Sequence, residues 1–470
     1  MHRSDRNFRF LILVFCAVTL GGCGCGKSAP KTSDSLRVWH WMTDREEAFA
    51  ELAAQYQHAT GTPVRFELYA PSDLYVQKVR AAAQTDGLPD IFSVLGESRD
   101  LASFINAGYV LPLTEAMNTN GGAWRGRFFP IALAMNMFQE GNLYGAPAGT
   151  YGVPIDVMNL QVYYNKRLLS KLGLNPEQPP STWDDWLAVG KLARAQHLVG
   201  LVSGWSELWL IDAFASSYAI HLMGREQVES TIRGDVAYSS PKWVEVFKVF
   251  EQLRDSGLLA EGIVTMGNKR AEQLFANEQA VFAFNGTWGV NVYQSMNPEL
   301  DYGVMMLPRI KPNRPMVTWG GAGSSFMVNA HSPKREQAVA FLQWLTEEPQ
   351  QRRLLETTHN IPSNREAAAA LSGPLAAFAD DMEAVVHPRL FAAQEHSSVI
   401  EAFDKGIQSI LIGEQSPAQV AQAIAHVKQL ENARHASREH SGSAPGSRLQ
   451  AQDGLQPRAS GLEPHDAIAN

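Results

Sequence analysis

Cysteine is nearly absent from this sequence. The three that occur, Cys16, Cys23 and Cys25, fall within the first 25 of 470 residues, so from Gly26 onward there is no thiol for a disulfide or a zinc site. Long apolar runs are scarce as well. The conspicuous one, "FLILVFCAVTL" from Phe10 to Leu20, is too short to span a bilayer and follows Arg3, Arg6 and Arg9, the order of an export signal. A basic excess is missing too. The chain carries 40 Lys and Arg against 48 Asp and Glu, and removing Arg3, Arg6, Arg9 and Asp5 with the leader leaves 37 against 47, which argues against nucleic acid as a partner. Hydrolase and metal signatures are also lacking. No H-E-x-x-H occurs, "GWSEL" lacks the closing glycine of a nucleophile elbow, and the histidines show no ligand spacing, so neither a metal nor a cofactor is expected.

What is present begins with "LGGCGCGKS", residues 20 to 28. Gly21, Gly26, Lys27 and Ser28 have P-loop spacing, but a P-loop needs a buried strand before it and a helix after it. An export signal precedes this stretch and the loop-like "APKTSDS" follows it. Leu20-Gly21-Gly22-Cys23 instead reads as the box before a lipidated cysteine. The expectation is a signal peptide over 1–22, lipidation at Cys23, a linker over 23–35, and membrane attachment through that lipid.

A body of roughly 410 residues exceeds what one core usually supports, so two lobes are expected. The first reads strand, helix, strand. "LRVWHW" (Leu36 to Trp41) is followed by Thr43-Asp44-Arg45-Glu46 with capping-box spacing, then by Phe49, Leu52, Ala53 and Tyr56 on one helix face. Gly61 and Pro63 end that helix, and "VRFEL" and "PDIFSV" read as further strands flanking a helix near Val76 to Thr85. Alternating strands and helices predict a parallel sheet, with ligands at the carboxyl ends of its strands. This makes His40, Trp41 and Glu97 candidates. A second unit starts after "YGVP", with strands at "LQVYYN", "QAVFAFNGTW", "YGVMMLP" and "GSSFMVN" and helices from Trp183, near Trp209 and from Pro241. Ser332 reads as the cap of a further helix with Pro333 at its first position. The tail over 436–470, rich in Ser, Gly, Ala, Pro and Arg, is expected to be disordered.

Seven of these segments, from "LRVWHW" through "NLYGAPAGTYGVPIDVMNLQVYYNKRLLSKLGL", "PSTWDDWLAVGKLAR" and "EQLFANEQAVFAFNGTW" to "GGAGSSFMVNAHSPKREQAVAFLQWLT", stand in the order seen in family 1 extracellular solute-binding proteins, the sugar-capturing subunits of ABC importers. The chain resembles that family over roughly residues 36 to 435. The resemblance implies an α/β, two-lobe periplasmic-binding-protein-like clamp: lobe 1 over 36–156 and 320–360, lobe 2 over 157–319 and 361–435, and crossings near Val153 to Leu160, Thr318 to Ser324 and His359 to Glu366. It also implies a carbohydrate ligand, permease subunits as partners and a monomeric receptor.

A sugar presents apolar ring faces and a rim of hydroxyls, so aromatic planes and carboxylates or amides are the groups to find. Trp288, after "FNGT" at a strand end, matches a family position that stacks on sugar; a core tryptophan is the alternative. In "GWSELW", Trp205 and Trp209 bracket Glu207, either as cleft wall and acceptor or as the start of a helix. "TWGGAG" offers Trp319 and close backbone approach at Gly321. Asp156 and Asn159 lie on the first crossing, where Met158 replaces the glutamate of the maltose-binding member. Two other readings stay open: a receptor for a polyol phosphate or polyamine, and a surface glycoside hydrolase using Glu97 and Glu207.

Overall fold

The computed structural model describes residues 34–95, 98–142, 144–386 and 395–440. The expected leader with Cys23, Glu97, and the tail beyond residue 440 lie outside the described residues.

Three parallel strands open the described chain. Leu36–His40 pairs with Val64–Leu68 on one side and, through Val38 and Ile91, with Ile91–Phe92 on the other, while helices Glu46–Thr60 and Ser72–Gln84 make the crossovers. Neighbouring strand residues face opposite sides, and the core follows. Val38 packs with Phe49, Leu52 and Phe341 on one face of the sheet, and Trp39 with Tyr75, Phe92 and Leu101 on the other. Two expected helix starts move. Thr43–Arg45 forms a 3-10 turn and the helix begins at Glu46 without a side-chain cap, because Arg45 is drawn inward and buried. The helix expected at Ser332-Pro333 begins at Arg335, since the Ser332 hydroxyl donates to Asp90 at 2.5 Å and accepts the Lys334 N–H at 2.9 Å.

The sheet is mixed rather than parallel throughout. Val153–Asn165 and Thr318–Val328 run antiparallel through its middle, because each carries the chain between lobes in the opposite direction. Beyond them, Ala280–Gly286 and Tyr302–Met305 pair antiparallel with Val153–Asn165, and Val199–Val202 lies parallel to Ala280–Gly286. Along each long strand the packing partner changes. Val153, Ile155, Phe326 and Val328 belong to the core of lobe 1, whereas Val157, Leu160, Val162 and Ala322 belong to that of lobe 2. Helix Leu208–Met223 is buried on all sides from Leu210 onward, as expected of a helix without a polar face. Helices Pro241–Ser256 and Ser397–Leu411 pack against it, and Pro417–His440 packs against those two. The last of these extends into the segment read from the sequence as a disordered tail.

Asp156 stands at the changeover. It faces Ser324 on one neighbouring strand and Pro362, of the short strand Ile361–Pro362, on the other. Arg45 reaches in from lobe 1 to pair with the Asp156 carboxylate and donates to the Ser324 hydroxyl at 3.1 Å. The second carboxylate oxygen accepts the Ser324 N–H at 2.6 Å and its hydroxyl at 3.0 Å. Strand register shifts on both sides of Ser324, and a Cβ at Gly323 would lie 2.6 Å from the same carboxylate, so the bulge is shaped around the ion pair. Removing one partner of a buried pair strands the other charge. Asp156→Ala is therefore expected to lower folding stability by roughly 3–5 kcal/mol in urea titrations, and the double change Arg45→Met with Asp156→Leu to recover most of it. A near-neutral Asp156→Ala would contradict this role.

Candidate ligand-binding site

The strand ends of lobe 2 converge beside Leu160. Leu160 pairs with Gly286, the last residue of one strand, and Asn159 next to it pairs with Gly320 near the start of another, while the Thr318 hydroxyl bonds to the Leu160 carbonyl. Trp288 follows the first strand and Trp319 begins the second. Between them comes Trp209, from the helix that starts at Leu208. Ring centroids are 5.8 Å apart for Trp209 and Trp288 and 5.6 Å for Trp209 and Trp319, with tilts of 52° and 39°. The three indoles therefore form one contiguous wall. Trp209 is 36 % exposed and the other two are half-buried.

Polar groups border this wall. Exposed Glu207 accepts the Trp209 indole N–H at 3.2 Å and the Asn268 backbone N–H at 3.1 Å. The Asn268 amide donates at 2.9 Å to Glu272, which also accepts from Asn285 at 3.1 Å. Burial, with the Glu207 charge as a lesser cause, raises the Glu272 pKa. The Trp319 indole N–H is buried without a partner. On lobe 1, Trp41 is half-buried at the end of its strand, tilted against Tyr75 at 5.4 Å.

Several expected contacts are placed elsewhere. His40 is 1 % exposed, edge-on to Phe49 and Phe66, and burial lowers its pKa to about 4, so it is a neutral core residue. Trp205 is fully buried against Phe214 and Phe250; of the two tryptophans bracketing Glu207, it is Trp209 that reaches the surface. Asn159 is fully buried, donating to the Phe378 carbonyl at 2.8 Å. The Asp156 carboxylate is taken by Arg45 and Ser324. Gly321 is buried in the strand pair opposite Met158. The structure thus brings Trp288, Trp319 and Glu207 together with Trp209, one of the two tryptophans bracketing Glu207, and adds Asn268, Glu272 and Asn285, which the sequence reading did not assign. Of these, Asn285 had a visible signal, since it opens the "NGTW" turn.

Two other concavities lie away from the indoles. One of about 540 Å³ is lined by Arg125, Phe128, Leu133 and Arg365, another of about 470 Å³ by Asp86, Tyr109 and His331, and neither includes the indoles. Among the described residues there is no group of three or more His, Cys, Asp or Glu side chains placed to hold a metal, and no helix is long and apolar enough to cross a membrane.

Two lobes joined by crossing strands, with an aromatic and acidic wall beside the crossing, define a solute-receptor architecture. Residues 51–384 match the bacterial extracellular solute-binding protein family, and the chain belongs to it. It is 23 % identical over 365 residues to the melibiose/raffinose/stachyose-binding protein MelE of Bacillus subtilis, covering 75 % of this chain and 80 % of that one. It is 21 % identical over 338 residues to the sn-glycerol-3-phosphate-binding periplasmic protein UgpB of Rhizobium meliloti, covering 71 % and 76 %. Among solved structures, the solute-binding protein RafE in complex with raffinose superposes with a TM-score of 0.65 at 16 % identity, covering 85 % of this chain and 99 % of that one.

The close approach of Trp288 to Gly286 generates a test of the wall. A Cβ at Gly286 would lie 1.9 Å from the Trp288 ring, so Gly286→Ala must displace the indole. A loss of ligand affinity of about tenfold or more is expected by calorimetry, the scale of one aromatic contact. Unchanged affinity would remove Trp288 from the ligand surface.

Proposed function

We propose that this protein is the extracytoplasmic receptor of an ABC importer and closes its two lobes on a sugar or oligosaccharide. The observation that carries the reading is the wall of Trp209, Trp288 and Trp319 bordered by Glu207. Indole faces complement sugar C–H faces, and an ionised carboxylate accepts hydroxyl hydrogen bonds strongly. MelE and RafE are relatives whose names or complexes are sugars, which supports the same class. UgpB keeps a polyol phosphate as the second reading. A phosphate calls for clustered basic side chains, and Arg45, the guanidinium that enters the crossing, is already paired with Asp156. Catalysis is disfavoured by geometry. Of the pair weighed for hydrolysis, Glu97 lies outside the described residues; the carboxylate found near Glu207 is Glu272, bridged to it through Asn268 on one wall, whereas a glycosidase places its carboxylates on either side of the scissile bond.

Screening by thermal shift against mono- and oligosaccharides, glycerol phosphate and spermidine tests the class. A saccharide at a hundred times its Kd should add about 2.7 kcal/mol of stability, and a response to glycerol phosphate or spermidine alone would replace the sugar reading. For the bound saccharide, Trp288→Ala is expected to weaken affinity by roughly 1–3 kcal/mol with little change in apo melting. A core role would reverse this order, costing about 3–5 kcal/mol of stability.

The reading includes a lipid at Cys23 that keeps a monomeric receptor beside its permease. A triacyl anchor holds stably where a single chain is marginal. In cell fractionation, Cys23→Ser protein should move to the soluble exported fraction. Persistence in the membrane pellet would remove the anchor from the proposal.

A further inference from the structure

Glu272 lies on helix Asn268–Ala276 and is 8 % exposed. A buried carboxylate ordinarily has a cation beside it. Here the contacts are neutral donors. Asn268 and Asn285 donate side-chain N–H groups at 2.9 and 3.1 Å, and the neighbouring Trp288 indole favours the charged carboxylate. Asn285 is itself committed on its other atoms, accepting the Gly286 N–H at 2.9 Å and donating to the Tyr293 hydroxyl at 3.2 Å. The charged neighbour across the network is Glu207, like in sign; Lys269 and Arg270, which follow Asn268 on the same helix, are exposed.

Two constraints therefore meet on one indole. Gly286 leaves room for the Trp288 ring to lie over the strand end, and Glu272 holds Asn285, which in turn accepts the Gly286 N–H, so the backbone beneath the ring is fixed from the Glu272 side. We propose that Glu272 is a positioning residue of the ligand site, which as a carboxylate accepts the Asn285 N–H and through Asn285 and Gly286 sets the strand end on which the Trp288 ring lies. This rests on the reading of Trp288 as a ligand-facing residue.

The ionised state matters because Glu272 faces donors alone. Protonation replaces an acceptor with an O–H donor, which opposes the N–H groups and releases part of the network. Burial raises the Glu272 pKa above the ordinary carboxylate value, so this release begins at a higher pH than for an exposed glutamate. The sign separates it from unfolding. A raised carboxyl pKa in the folded state means the fold takes up the proton more readily than the unfolded chain. Acidification through this window therefore favours the fold at this residue while loosening the indole.

The test needs no ligand at its first stage. Indole emission of the apo protein is titrated from about pH 8 to about pH 4, and the same titration of Trp288→Phe is subtracted. A transition in the Trp288 signal is expected with a midpoint above that of an exposed glutamate, and Glu272→Gln should be flat at the acid-end value throughout. A flat wild-type difference, or an undiminished transition in Glu272→Gln, overturns the proposal. If Glu272→Gln fails to fold, the wild-type difference titration still decides. At the second stage, raffinose binding by calorimetry should weaken about tenfold across the same window in the wild type and lose that dependence in Glu272→Gln, the scale of one hydrogen bond to a charged group. A raffinose affinity that is independent of pH counts against it. The two readings fail separately: an intact emission transition in a protein that binds no saccharide upholds the indole coupling and sinks the sugar assignment alone.

Discussion

The buried pair of Arg45 with Asp156 is the interaction on which both lobes hang. Two charges taken out of water are expensive unless nearly every lone pair and N–H is used. Here Ser324 donates twice to the carboxylate and accepts from the guanidinium in turn, and Asp44 lies 3.6 Å from the Arg45 Nε, which makes no hydrogen bond. The consequence is geometric. Arg45 belongs to the turn directly after the first strand, Asp156 to the first crossing and Ser324 to the second, so one cluster ties the floor of lobe 1 to both strands that enter lobe 2. The bulge at Ser324 and the missing side chain at Gly323 are what the backbone gives up to admit that carboxylate.

From this junction the ligand wall follows by strand geometry. Once Val153–Asn165 is held at Asp156, Leu160 lies four residues further along the strand, flanked by the end of Ala280–Gly286 and the beginning of Thr318–Val328. Trp288 and Trp319 come from opposite ends of two different strands, yet they meet there because both strands pair with the same stretch. Trp209 closes the gap because a helix with no polar face has to be buried along its length and can surface only at its first turn. The exposed indole at the mouth of an otherwise buried helix is thus a result of packing.

The strands, the two-lobe division and the family were legible because alternation, capping residues and segment order are local or sequential properties. The misread residues share a different cause. In a sheet buried on both faces, His40 and Trp41 are equally apolar in context, and periodicity alone does not say which of two neighbours faces the core. The same holds for Asn159, whose amide is consumed by the Phe378 carbonyl of a helix distant in sequence. Asp156 was visible as a polar residue on the crossing, but its partner Arg45 lies 111 positions away, and no spacing rule connects them. Glu272 was hidden for the same reason, being one acidic residue on a helix until the fold brings Asn285 and Trp288 to it.

How the wall and the junction act together follows from linkage. A ligand that touched lobe 2 alone would bind the open and closed forms alike and shift neither, however tightly it stacked on the three indoles. Closure therefore draws on contacts made by lobe 1, where the half-buried Trp41 stands at a strand end beside Tyr75. That strand leads straight into the turn carrying Arg45, so Trp41, the lobe 1 aromatic that the proposed function would bring to the ligand, and the residue that anchors the crossing are four positions apart. The proposed function therefore assigns the choice of ligand to the lobe 2 wall, and the bias toward closure to the lobe 1 side next to the crossing that Arg45 holds.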